Sequence, residues 1–100
     1  MLKVGIVGAA GYAGAELVRI VLRHPEFDLC VITSNSDEGA TLASVYPAFS
    51  GVTNLVFSRH DNPELFNCDV VFLATPHTVA MKSAPGLLAS GVTVVDLSAD

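Results

Sequence analysis

The chain has 100 residues, 51% of them hydrophobic and 15% charged, with a formal net charge of −5. That balance describes a filled interior and excludes a disordered tail, and the negative charge argues against nucleic acid or an anionic membrane as partner. The length suits one compact domain and nothing larger; a complete six-stranded α/β sheet usually takes roughly 150 residues, so a fragment is one expectation.

The apolar run Val4-Gly5-Ile6-Val7 predicts a buried strand over about Lys3 to Val7. Lys3, the stretch to Tyr12 and the small triplet Ala13-Gly14-Ala15 imitate a signal peptide, but the glycines are too many for an apolar h-region and a patterned helix follows. No run reaches the ~18 apolar residues of a membrane span. A cytoplasmic protein is expected.

After the strand comes Gly8-Ala9-Ala10-Gly11-Tyr12-Ala13-Gly14. A phosphate-binding turn needs glycine for separate reasons: to reverse the chain, to let bare backbone approach a pyrophosphate, and to pack a helix closely on the sheet. The anion then lies over the first helical turn, where free N–H groups and the positive end of the macrodipole meet it. The spacing is G-x-x-G-x-x-G, a variant of the dinucleotide fingerprint with Ala10 at a position usually given to glycine. Glycines so placed also serve packing with nothing bound.

A helix is predicted over about Tyr12 to His24, with Ala10, Gly14, Leu17 and Val21 on one face and Glu16, Arg19 and Arg23 on the other. His24-Pro25 ends it. Strand two, Leu29 to Thr33, shows no alternation and is expected to be covered on both faces. The polar loop Ser34-Asn35-Ser36-Asp37-Glu38-Gly39 follows, then a short helix near Thr41 to Tyr46 and a third strand at Leu55-Val56-Phe57. Asn62-Pro63-Glu64-Leu65 reads as a capped helical turn. Strand four covers Asp69 to Ala74. Thr75-Pro76-His77-Thr78 leads into a helix to Ser90 that should kink or restart at Pro85 and end at Gly91. Strand five is Val92 to Asp96.

This alternation predicts an α/β fold, a Rossmann-like doubly wound parallel sheet with five strands visible. Right-handed crossovers bring the segments after strands one, two, four and five to one edge, where such sheets bind ligands. A domain selecting NAD commonly places a carboxylate about 20 residues beyond the glycine turn. Here that zone holds Thr33, Ser34, Asn35 and Ser36, whose hydroxyl and amide groups suit the 2′-phosphate of NADP(H), with Asp37 and Glu38 close behind. A solvated turn of small polar residues is the plain alternative. Cys30 and Cys68 form no C-x-x-C pair and are expected as buried structural thiols. His60, with Arg59 and Asp61, reads as surface. No metal-ligand set and no catalytic residue is assigned.

Taken together, the glycine turn continued by Ala15-Glu16-Leu17, the Thr33-Ser34 pair, Phe72-Leu73-Ala74-Thr75-Pro76-His77 and Val95-Asp96-Leu97-Ser98-Ala99-Asp100 resemble the N-acetyl-gamma-glutamyl-phosphate reductase family, within the semialdehyde dehydrogenase superfamily. Aspartate-semialdehyde dehydrogenases share the architecture but match the Gly-Tyr-Ala-Gly and Pro-His segments less well. The resemblance covers essentially the whole chain. It implies an NADPH-dependent oxidoreductase of arginine biosynthesis, converting N-acetyl-glutamyl 5-phosphate to the 5-semialdehyde and phosphate through a cysteine thioester. It further implies that Gly8, Gly11, Tyr12, Ala13 and Gly14 hold the pyrophosphate and that Ser34, Asn35 and Ser36 form the 2′-phosphate loop. Many members have arginine where this chain has Asn35. Ala74, Thr75, Pro76 and His77 match the wall along the cofactor, and Ser98 a residue near the nicotinamide. The family's catalytic cysteine belongs to a segment beyond Asp100, so residues 1–100 are expected to form an incomplete NAD(P)-binding domain, truncated before the catalytic part. His77 is then a wall residue rather than a base. The acyl-phosphate pocket would lie mostly outside this chain, and the parent is expected to be a homo-oligomer. Two other readings stand beside this one: a reductase of the aspartate-semialdehyde type, and a non-catalytic nucleotide-binding module.

Overall fold

A computed structural model describes residues 1–97, with 77 and 78 described as backbone only. The elements are β1 (Leu2–Val7), α1 (Tyr12–Arg23), β2 (Phe27–Thr33), α2 (Leu42–Val45), β3 (Phe57–Ser58), β4 (Val70–Leu73), α3 (His77–Ala89) and β5 (Thr93–Asp96), with short 3-10 turns at Asn35–Asp37, Pro47–Phe49 and Pro63–Asn67. All five strands are parallel, in the order β3-β2-β1-β4-β5. The expected Rossmann-like sheet is therefore observed. The chain reverses its direction of travel across the sheet at β1, between β2 and β4, and this opens a crevice at the carboxyl edge.

Alternation along β1 divides the core into two layers. Val4 and Ile6 join Val18 and Val21 of α1, Leu29, Ile32, Leu42 and Phe57 on one face. Val7 joins Leu65, Val71, Leu73, Ala80 and Leu87 on the other. Each fully buried Val, Ile or Leu contributes about 1.5–3 kcal/mol. In α1 the buried stripe is Gly14, Val18 and Val21, and Arg19 on the outer face pairs with Glu16 at 2.8 Å. Asn62 caps the turn before β4 by accepting from the Glu64 N–H at 2.9 Å, as its position before Pro63 predicts.

Five expectations are corrected. Strand three lies two residues late, because the Leu55 and Phe57 backbones bond Leu42 and Ala40 (2.9 and 2.8 Å), so that only Phe57–Ser58 reach β2. Helix α3 runs through Pro85 without a restart. Ala80 and Leu87 are buried on either side, Ala84 packs between them, and Pro85 and Met81 are exposed. The carbonyl that loses its partner, that of Met81, thus belongs to the solvent side of the helix. The first half of β2 is covered on one face only, with Asp28 and Cys30 exposed. Cys30 is therefore not a buried thiol; it borders an open groove with Lys3, Val56, Glu64 and Cys68. Cys68 is buried, as expected. The fifth correction concerns His60, which belongs to the crevice.

Candidate functional site

The glycine turn is locked by close approach. Gly8 has φ +88°, and a Cβ there would stand 2.6 Å from Thr75 Cγ2 and 3.0 Å from the Thr75 nitrogen. Gly14 brings α1 onto the turn: its Cβ would fall 2.3 Å from the Gly8 carbonyl oxygen. The turn is also tied to β2, since the Gly8 and Ala9 N–H groups donate to the Thr33 carbonyl at 3.1 and 3.0 Å. From the other side the Tyr46 hydroxyl donates to the Ala10 carbonyl.

Gly11 differs. Its Cβ would meet nothing nearer than the Gly8 oxygen at 4.0 Å, and it caps α1 with no side-chain hydrogen bond and no acidic residue in the first turn. The amides of that turn, which have no intrahelical acceptor, are left open to an anion.

The turn forms one wall of a cleft of about 510 Å³ lined by Gly8, Ala10, Gly11, the 34–37 loop, His60 and the 74–76 segment. Of the residues singled out in the sequence, Gly8, Gly11, Ser34, Asn35, Ser36, Ala74, Thr75 and Pro76 meet there. Gly14 lies beneath the turn, and Tyr12 and Ala13 stand outside, Tyr12 92% exposed. His77 opens α3 next to Pro76, and its side chain lies outside the described residues, as does Ser98.

The residues present fit a phosphorylated nucleotide. Thr75 Oγ1 is buried and has no hydrogen-bond partner among the described residues. A buried hydroxyl in that state costs about 1–3 kcal/mol, and this one borders the cleft, where a ligand can complete it. Asp37 brings the opposite influence: its carboxylate accepts from Ser34 Oγ at 2.7 Å and Ser36 Oγ at 3.2 Å, so both hydroxyls already donate to an anion.

Beneath the cleft, Thr33 of the expected ribose zone meets His60, a lining residue that the sequence did not single out for the site. Thr33 Oγ1 accepts from the Gly8 N–H at 3.2 Å and lies 2.7 Å from His60 Nδ1. Thr33 is fully buried, and its hydroxyl can pair with Nδ1 in either state of the ring, donating to a neutral Nδ1 and accepting from a protonated one. Burial, then the neighbouring Arg59, lowers the His60 pKa from its ordinary value, which agrees with a neutral ring. The His60 backbone N–H donates to Asn35 Oδ1 at 2.9 Å, joining the loop after β3 to the 34–37 loop. Contacts across 25 and 27 residues leave no local sequence signal.

Neither cysteine is poised as a nucleophile. Burial pushes the Cys68 thiol up to about 11, and burial and then Asp28 raise that of Cys30. Both remain thiols at neutral pH.

Several known proteins resemble this chain. It is 53% identical over 100 residues to the N-acetyl-gamma-glutamyl-phosphate reductase of Herminiimonas arsenicoxydans and 55% identical to that of Marinobacter nauticus, covering 100% of this chain and 29% of each relative. The chain thus spans less than a third of the length of these curated relatives, whose names agree with the resemblance noted in the motifs. Among solved structures, an aspartate semialdehyde dehydrogenase with NADP from Candida albicans superposes with a TM-score of 0.83 at 22% identity, over 98% of this chain and 30% of that one. A dihydrodipicolinate reductase from Paenisporosarcina sp. TG-14 gives 0.70 at 24%, over 96% and 37%. At such identities the likeness shows the fold. The family model for the semialdehyde dehydrogenase NAD-binding domain matches residues 3–100, and the chain belongs to that family.

Proposed function

We propose that residues 1–100 are the cofactor-binding domain of an NADPH-dependent reductase that converts N-acetyl-glutamyl 5-phosphate to N-acetyl-glutamate 5-semialdehyde and phosphate, a step of arginine biosynthesis. The observation that carries the binding role is the first turn of α1, without a side-chain cap, opening into the cleft beside the buried Thr75 hydroxyl, which has no partner among the described residues. The names of the relatives support the reaction. NADPH supplies the hydride when bound. The chain's own contribution is binding and orientation: the Gly8–Gly14 turn and the α1 amides take the pyrophosphate, Ser34, Asn35 and Ser36 the adenosine ribose, and Ala74, Thr75, Pro76 and His77 the wall that directs the far end. Ser98 is assigned to that end. In this reading the acyl-phosphate pocket and the thioester-forming cysteine belong to other parts of the protein, since the Cys30 and Cys68 thiols are held protonated.

Titration with NADPH, followed by cofactor fluorescence, tests the binding role. Gly11 has an extended backbone and open space around its Cβ position, so Gly11→Val should fold while covering the amides. Losing one hydrogen bond to a charged group costs about 1.5–3 kcal/mol, roughly tenfold or more in affinity. Unchanged affinity in a folded Gly11→Val protein, or no binding by the wild type, refutes the assignment.

A further inference from the structure

The ribose side of the cleft contains an electrostatic conflict. Ser34 and Ser36, the groups expected to receive a 2′-phosphate, donate to the Asp37 carboxylate, which repels such a phosphate. A cation is needed to offset it. Arg59 does not line the cleft; it is half exposed and faces Glu38 at 3.9 Å and Asp61 at 3.8 Å. Lys82 of α3 lies in the adjoining groove. Among the described residues lining the cleft, His60 is the one side chain able to become positive.

We infer that His60, protonated when the ligand binds, is the residue that allows this cleft to prefer a 2′-phosphorylated dinucleotide over its unphosphorylated counterpart. The inference rests on the cofactor reading above. His60 is held beside the ribose loop by its own N–H on Asn35, and its Nδ1 is directed at Thr33, which leaves Nε2 for a ligand oxygen. The charged groups around it are Asp37 and Glu38 from the ribose loop, Arg59 and Asp61 from its own segment, and Lys82 across the groove. The glycine turn presents no charge. Without ligand, partial burial and Arg59 favour the neutral ring. A phosphate dianion close by reverses that preference, because an opposite charge within about 4–6 Å favours the charged form. Binding of NADPH should therefore take up a proton, and binding of NADH should not.

The test is fluorescence titration of the full chain with NADPH and with NADH at about pH 8 and about pH 6.5, above the phosphate's own pKa of about 6. In the wild type the ratio of NADPH to NADH affinity should rise about fivefold at the lower pH. His60→Gln, whose amide oxygen can still accept from Thr33, should hold that change below about twofold. Asp37→Asn should raise the ratio at both pH values. A ratio independent of pH in the wild type overturns the inference, and that result needs no variant. A pH-dependent ratio that survives in His60→Gln overturns it as well. A pH-independent preference abolished by Arg59→Ala assigns the cation to Arg59. Failure of both cofactors to bind refutes the cofactor reading itself and the inference with it, whereas binding of both with a flat ratio refutes the inference alone.

Discussion

Replacing Gly14 with alanine should destabilise the protein, although the same change elsewhere in a helix stabilises it. The added Cβ would stand 2.3 Å from the Gly8 carbonyl oxygen, 2.6 Å from Ala9 Cα and 2.9 Å from the Ala9 carbonyl carbon, all backbone atoms. None can rotate away. The turn cannot retreat either, because Gly8 abuts Thr75 and both Gly8 and Ala9 are bonded to the Thr33 carbonyl. Relief requires α1 to lift by about an ångström, and because the atoms met are backbone, overpacking here falls in the upper part of its usual range, about 2–3 kcal/mol. Better helix propensity returns about 1 kcal/mol, leaving a net loss of roughly 1–2 kcal/mol. For a domain of this size that lowers Tm by roughly 5–15 °C. Gly86 supplies the internal comparison. It sits in α3, and its Cβ would meet only the Phe66 ring at 3.7 Å, an ordinary contact. Gly86→Ala should therefore gain about 0.5–1 kcal/mol. Urea unfolding followed by far-UV circular dichroism measures both. A Gly14→Ala protein as stable as the wild type refutes the claim that the α1–turn contact is closed to a methyl group.

Two further outcomes follow from the side chains. His60 has a lowered pKa in the folded chain, so the unfolded state binds its proton first as pH falls. The stability this group confers is complete above about pH 6.5 and declines from there down through the folded pKa, and the difference between wild-type and His60→Gln urea curves over that window should show it. Equal pH slopes in the two proteins contradict it. Of the two thiols, Cys30 should react with iodoacetamide in the native protein, slowly at pH 7 because its pKa is raised, while Cys68 should be labelled only on unfolding. Mass spectrometry showing Cys68 modified first would disprove the placement of its side chain under the turn that precedes β4.

Where a contact is local, its sequence signature held. The strand at Val4–Val7, the helix from Tyr12 and the Asn62-Pro63 cap each depend on residues within one turn or one strand of each other, and each appears within a residue or two of its expected place. The order of crossovers was equally legible, since parallel strands joined by helices leave few topologies. The gathering of Gly8, Ser34 and Thr75 follows from that order, as they stand in loops at the carboxyl edge of neighbouring strands.

What depended on tertiary contact was hidden. Leu55 and Val56 have strand character, yet the returning 40–42 segment claimed their backbone and moved β3. Pro85 carries a local signal to break α3, but core burial of Ala80 and Leu87 holds the helix together across it. Cys30 sits in an apolar run, and the placement of the helices, α1 over Leu29 and Ile32 and α3 in the layer of Val71 and Leu73, decides that the start of β2 stays open on its face. The largest gap concerns His60. Its neighbours in sequence are charged, and its partners Thr33 and Asn35 come from another strand end. By itself the sequence determined the alternation of elements and the glycine turn, because these rest on short-range sterics and periodicity. The tertiary structure alone decided which polar groups face one another across the cleft, because hydrogen bonds and charges act through space and leave no period in the chain.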